Sequence, residues 1–158
     1  SYDARIALIV GDEHVTSALE KRFQLEFFRP HIAILTNLSW TPDTDHPTPD
    51  AYYDTFRNFT TLIEREGKLI YFEGDPAVKQ LAEEVREDIT AISYGEHSEI
   101  EKDGATFLQT RYGDFPIHVP DSYFLTNLNA ARLACRQLGV KDADFYRAIS
   151  EYSVSLQP

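Results

Sequence analysis

The 158 residues carry 26 Asp and Glu against 15 Lys and Arg, a net charge of −11 and a sequence pI near 4.8. That balance excludes the basic stripe of a nucleic-acid binder but not a nucleotide ligand, because a backbone loop with one Lys can hold phosphates on an acidic protein. A hydrophobic fraction of 42% excludes a disordered chain, no apolar run is long enough to span a membrane, and the length predicts one domain over residues 1–158.

The single cysteine, Cys135, cannot form an internal disulfide, which fits a reducing, cytoplasmic setting. No secretion signal precedes Tyr2. From the absence of Met, even at residue 1, the natural start is expected to be missing.

Ala4–Val10 reads ARIALIV, the run of a buried strand. A second possible strand covers Phe23–Phe28, and Ile32–Leu35 forms another after Pro30. Asn37–Pro49 is loop, with prolines interleaved among Asp43, Asp45 and His46. Thr48-Pro49 is a cap-then-proline signal for a helix whose apolar face is Tyr52, Phe56, Phe59 and Ile63, with Gly67 as its stop. Lys68–Phe72 is a strand, and Asp75-Pro76 opens a helix with the stripe Val78, Leu81, Ala82 and Val85. This alternation predicts an α/β domain, mostly parallel.

After Ile89 the pattern changes to short extended pieces: Ala91–Tyr94, Ser98–Lys102, Ala105–Tyr112 and Pro116–Val119, the last containing His118. Asp103-Gly104 and Gly113-Asp114 are the turn signals of an antiparallel meander. Two helices follow. The first has Phe124, Leu128, Ala131, Cys135 and Leu138 on one face and ends at Gly139. The second is capped by Asp142, with Phe145, Ala148, Ile149 and Tyr152 on one face.

Neither G-x-x-x-x-G-K-[ST] nor G-x-G-x-x-G occurs, so the chain carries no recognisable phosphate loop. Two polar clusters are candidates for cation binding, because ligands in α/β sheets gather at the carboxyl ends of strands. Asp12, Glu13 and His14 form one; the alternative reading is a solvated turn. Asp43, Asp45 and His46 form the other, after Ile32–Leu35; the alternative is an ordinary proline-rich loop. Cys135, on an apolar helix face, reads as core rather than nucleophile. His31 and His118 show no partner in sequence and read as structural.

One family shares the order of these pieces. The blocks are GDEH at Gly11–His14, KRF at Lys21–Phe23, RPHIAILTNLSW at Arg29–Trp40 and PTPDAYYDTFRNF at Pro47–Phe59. GKLIYFEGDPAV follows at Gly67–Val78, SYG at Ser93–Gly95 and NLNAARLACRQLGV at Asn127–Val140. Together, over nearly the whole chain, they resemble the central domain of the Mur ligases. The resemblance implies a three-layer α/β fold with a mostly parallel sheet, flanking helices and a small antiparallel side sheet. It also implies that Ala4–Val10 and Ile32–Leu35 share one sheet.

The resemblance implies an ATP- and Mg-dependent amide ligase acting on UDP-N-acetylmuramate or its peptides in peptidoglycan synthesis or recycling. It places Asp12, Glu13, His14, Asn37 and Asn127 on the substrate or nucleotide side, and Asp45 and His46 at the metal. The phosphate-loop segment and the C-terminal domain are lacking, so a fragment inactive alone, binding neither ATP nor Mg by itself, is expected. The family pattern also has a Glu where Val10 stands, Asp-His where an ungapped match puts Thr41-Pro42, and G-x-H-N-x-x-N where Asp121–Asn127 keeps only its last Asn. These departures imply the other reading, a non-catalytic, ligase-derived binding protein. No nucleic-acid or membrane partner is expected, and an exposed sheet edge predicts a homodimer.

Overall fold

A computed structural model describes residues 4–11, 14, 22–118 and 121–152. Its elements run β1 (Ile32–Leu35), α1 (Pro49–Thr61), β2 (Lys68–Phe72), α2 (Pro76–Glu83), β3 (Thr90–Tyr94), β4 (Glu99–Lys102), β5 (Ala105–Thr110), β6 (Gly113–Pro116), α3 (Ser122–Gln137) and α4 (Asp142–Glu151). Strands β1, β2 and β3 form a parallel sheet in that order, with Ile34 beside Ile70 and Ile70 beside Ile92. Strands β4, β5 and β6 form a separate antiparallel sheet. The domain is therefore α/β, with a parallel sheet, flanking helices and a small antiparallel sheet.

Two neighbours in β2, Leu69 and Ile70, are both fully buried. Successive strand side chains point to opposite faces, so both faces of the sheet are covered. Leu69 joins Ala33 and Leu35 in a core with Phe56 and Phe59 of α1 and Val78 and Leu81 of α2. Ile70 and Tyr94 face Ala130 and Leu133 of α3. Further along α3, Leu125 and Leu128 pack with Leu108 of β5 and Phe145 and Tyr146 of α4. Helix α3 thus lies between the two sheets, on the opposite side of the parallel sheet from α1 and α2.

Both cap-then-proline signals operate. Thr48 accepts the Ala51 amide at 3.2 Å, and Asp75 accepts those of Ala77 and Val78 at 2.8 and 3.2 Å. Each satisfies amides that a first helical turn leaves unpaired.

Several expectations need correction. Ala4–Val10 is not a strand and shares no sheet with Ile32–Leu35; Leu8 and Val10 are each 90% exposed. An apolar run reports which side chains favour burial, whereas a ladder needs a neighbouring edge, and among the described residues β1 pairs only with β2. Gln24–Phe27 within the second possible strand is a short 3-10 helix, closed by the Phe28 amide on the Leu25 carbonyl. Helix α1 ends at Thr61, before Gly67. Gly67 instead lies where a Cβ would come within 2.7 Å of Glu64 O and 2.9 Å of His31 O, a close approach of backbones.

The turn after β5 is Arg111-Tyr112, and Gly113-Asp114 begins β6 because Thr110 Oγ1 binds both the Gly113 carbonyl and the Tyr112 amide. His118 consequently lies past the strand, and Val119 is outside the described residues. Lys141, not Asp142, occupies the cap position of α4; the Asp142 carboxylate instead pairs with Arg132 and Arg136 of α3. That packing turns Tyr146 inward and leaves Ala148 and Tyr152 exposed. On α3, Ala131 and Leu138 are exposed, because the helix buries Leu125, Leu128, Ala130 and Leu133 against two different cores.

Candidate functional site at the carboxyl edge of the parallel sheet

The carboxyl ends of β1, β2 and β3 share one edge, and the loop from Thr36 to Thr48 rises from it. The loop is tied down at its base. Asp75, beyond β2, accepts the Leu38 amide at 2.7 Å with one carboxylate oxygen while capping α2 with the other. Asn37 receives the Thr36 hydroxyl at 3.3 Å and donates to Ser39 at 3.4 Å. Between these pieces lies an open depression of about 490 Å³, lined by Asn37, Leu38, Tyr53, Phe72, Gly74 and Asp75 among others. Its walls combine aromatic surface with a few polar groups, as ligand sites do.

The loop then closes on itself. Asp43 accepts the His46 amide at 2.5 Å, and the His46 carbonyl accepts from Trp40 Nε1 at 3.0 Å. The hydrogen bond from that amide holds the Asp43 carboxyl below its ordinary value. These bonds fold His46 inward until its side chain is fully buried. Its ring stacks on Phe23 at 5.0 Å and meets Tyr52 edge-on at 5.3 Å. His46 Nε2 lies 3.2 Å from Thr55 Oγ1, and that hydroxyl also lies 3.1 Å from the Ala51 carbonyl.

His14 and Asp43 complete the cluster. One ligand atom each of His14, Asp43 and His46 lies within 4.8 Å of the others. Asp43 Oδ1 is 3.6 Å from His46 Nδ1, and Asp45 Oδ2 is 3.7 Å from His14 Nδ1. The His14 carbonyl accepts the Gln24 amide at 3.0 Å, which holds this residue beside the loop.

His14, of the first polar cluster read from sequence, thus meets the second. Asp43 stands beside His46, and Asp45 stands beside His14. Asp12 and Glu13 lie outside the described residues. Asn37 borders the depression, while Asn127 is half-buried on α3, across the sheet from α1. Where the family pattern departs, Val10 and Tyr123 are 90% and 77% exposed, and Thr41 and Pro42 are exposed as well. Sequence reasoning missed Thr55, Phe23 and the loop-tying role of Asp75. Only Asp75 left a signal, as a cap.

A larger depression of about 820 Å³ lies where β5, α3 and α4 meet, with Arg111, Arg132, Arg136 and Lys141 in its wall. Arg132 and Arg136 are engaged by Asp142, and Tyr146 there is bonded to His97 at 2.8 Å.

A sheet edge with a tethered loop, a shallow pocket and a His-carboxylate cluster marks a candidate ligand site on an α/β domain. Residues 12–135 match the Mur ligase middle domain, and the chain belongs to that family. It is 28% identical over 153 residues to the UDP-N-acetylmuramate–L-alanine ligase of Arthrobacter sp. (strain FB24), covering 90% of this chain and 33% of that protein. The ligase of the same description from Clostridium botulinum (strain Alaska E43 / Type E3) is 30% identical over 114 residues, covering 68% of this chain and 23% of that protein.

Among solved structures, UDP-N-acetylmuramate:L-alanyl-gamma-D-glutamyl-meso-diaminopimelate ligase from Neisseria meningitides shares the fold at a TM-score of 0.75 and 18% identity, covering 93% of this chain and 48% of that one. UDP-N-acetylmuramoylalanyl-D-glutamyl-2,6-diaminopimelate–D-alanyl-D-alanyl ligase from Acinetobacter baumannii does so at 0.65 and 17%, covering 92% and 33%. The chain spans about a third of the length of the curated relatives it matches.

Magnesium, which the family uses with ATP, does not fit the cluster. It takes near-octahedral oxygen ligands at about 2.0–2.1 Å, and among the described residues this donor set offers two imidazoles and one carboxylate. Among the described residues, no helix is long and apolar enough to cross a membrane.

Proposed function

We propose that this chain is the central-domain portion of an ATP-dependent ligase that joins the carboxylate of a UDP-N-acetylmuramate-type precursor to an amino acid or peptide amine in the cytoplasm, and that it does not turn over alone. The match over residues 12–135 carries this reading. The fold it shares with ligases of that precursor class supports it. In the proposal, the edge formed by Asn37, Leu38 and Asp75 receives the precursor. The Asp75 tie keeps the loop from Thr36 to Thr48 in place, so that the pocket is formed before ligand arrives. No phosphate loop occurs in the sequence, so ATP is held by another part of the working protein.

The second reading is a non-catalytic family descendant that binds a precursor without consuming ATP. The exposed Val10 and Tyr123 favour it, since the family pattern has polar groups there. ADP release separates the two. The protein encoded by the full reading frame is supplied with ATP, UDP-N-acetylmuramate and an amino acid or peptide. ADP that appears only with both precursor and amine supports the ligase. Precursor binding without ADP supports the descendant. The 158-residue chain alone releases none under either reading.

A further inference from the structure

The larger depression, where β5, α3 and α4 meet, is used by neither functional reading. Among the described residues its wall holds Arg111, Arg132, Arg136 and Lys141, four of the chain's 15 Lys and Arg. Of the 26 Asp and Glu it holds only Asp142. On a chain of net charge −11, a concave surface that gathers cations and sheds carboxylates focuses a positive field against the average. We infer that this depression binds a small phosphorylated molecule through an unesterified, terminal phosphate group. The inference goes beyond the ligase reading and does not depend on it.

The carboxylates close by in sequence are committed elsewhere. Asp114 of β6 pairs with Lys102, and Asp144 of α4 pairs with Arg147. Asp142 is shared between two guanidinium groups, accepting from Arg132 Nη1 at 3.0 Å and from Arg136 Nε at 3.1 Å. One carboxylate for two guanidinium groups leaves a positive charge over. Arg111 donates to a neutral partner, the Tyr112 hydroxyl, at 2.6 Å, and Lys141 has no ion pair among the described residues. The wall therefore presents three charges without a counter-charge. The C-terminus of α3 and the N-terminus of α4 both reach this wall, so their dipoles oppose and the side chains set its sign.

The cations are also held in place. Arg132 donates twice to Asn129 Oδ1, at 2.7 and 2.9 Å, and Asn129 donates to the Gly95 carbonyl at 3.0 Å. Arg132 is thereby locked to the end of β3, and through Asp142 it positions Arg136. Arg111, Arg136 and Lys141 are exposed and free to meet a ligand. A terminal phosphate carries about −1.5 to −2 charges and three acceptor oxygens, which suits two guanidinium forks and an ammonium. A diphosphate esterified at both ends has only one charge on each phosphorus and suits them less. At about 820 Å³ the depression is far larger than a phosphate ion, within the range of sites for organic molecules. Val140 and the ring of Tyr146, whose hydroxyl is engaged by His97, offer apolar surface for the remainder of the ligand.

The test is amide NMR titration of the chain with inorganic pyrophosphate, with calorimetry for the affinity. Saturable shifts are expected at Thr110, Arg111, Gly139 and Lys141. UDP-glucose, whose diphosphate is esterified at both ends, should shift these amides far less. Arg111→Gln combined with Lys141→Gln should weaken pyrophosphate binding at least about tenfold, because charge-assisted hydrogen bonds are the strong ones. Neither residue pairs with a carboxylate, so the melting temperature should hold. Lys141→Gln alone breaks no contact among the described residues and should still weaken binding several-fold, which keeps the test open if the double variant disturbs the hairpin. Arg147→Gln removes the same charge from α4 outside the wall and should leave the affinity unchanged. Absence of shifts at millimolar pyrophosphate, shifts centred elsewhere, equal binding of UDP-glucose, or an equal loss in Arg147→Gln would each overturn the proposal.

Discussion

Asp75 is the residue through which sheet, helix and loop depend on one another, and its removal has a magnitude that can be worked from the contacts. Asp75→Ala removes the cap of α2, worth about 1 kcal/mol. It also strips the acceptor from the Leu38 amide, whose residue is buried. An amide left unsatisfied there costs about 1–3 kcal/mol. The sum is about 2–4 kcal/mol, which at a urea slope of about 2 kcal/mol/M moves the unfolding midpoint down by about 1–2 M. Asp75→Asn keeps one oxygen acceptor and should lose about half as much. Urea denaturation followed by circular dichroism reads both. A loss below 1 kcal/mol for Asp75→Ala, or equal losses for the two variants, would refute the claim that one carboxylate serves both the helix and the loop.

Four further outcomes are expected. Thr55→Val leaves His46 Nε2 buried without its hydrogen-bond partner and should cost about 1–3 kcal/mol by thermal melting. Gly67→Ala forces a Cβ against Glu64 O and His31 O and should cost at least the 1–3 kcal/mol or so typical of overpacking, read by urea titration. Amide hydrogen bonding lowers the folded-state value of Asp43, and hydrogen bonds from Arg57 and Arg136 do so for Glu84 and Asp142. Their stabilisation is therefore present above the ordinary carboxylate range and lost as pH falls through the lowered values, so melting temperature should drop on acidification below about pH 4. Finally, the exposed apolar surface of Leu8 and Val10 should drive self-association; sedimentation velocity at micromolar concentration should show Leu8→Asp with Val10→Asp shifting the chain toward monomer.

What was legible in the sequence was what local chemistry decides. Thr48-Pro49 and Asp75-Pro76 marked helix starts because capping and proline geometry act within a few residues. The run at Lys68–Phe72 marked a parallel strand because Leu69 and Ile70 bury both faces, and the run at Ile32–Leu35 marked its neighbour through buried Ala33 and Leu35, although Ile34 is exposed. Ala4–Val10 has the same composition, yet strand pairing depends on an edge that composition does not encode.

The turn at Arg111-Tyr112 was displaced from Gly113-Asp114 by a threonine side chain that sequence does not announce. The site divides in the same way. His46 was readable as a polar group beyond a strand, and His14 as one past an apolar run that forms no strand. Their meeting depends on a loop that returns through Asp43 and on a threonine one helix away, neither visible in spacing. Val10 shows the converse: sequence marked it as a departure from the family pattern, and only the structure shows it facing solvent.

The most direct measurement is an amide NMR titration of the 158-residue chain with UDP-N-acetylmuramate. The account predicts shifts concentrated at the carboxyl ends of β1 and β2, at Asn37, Leu38, Gly74 and Asp75, and weakened in Asp75→Ala. Shifts confined to the depression around Arg111 and Arg136, or none at millimolar precursor, would contradict it.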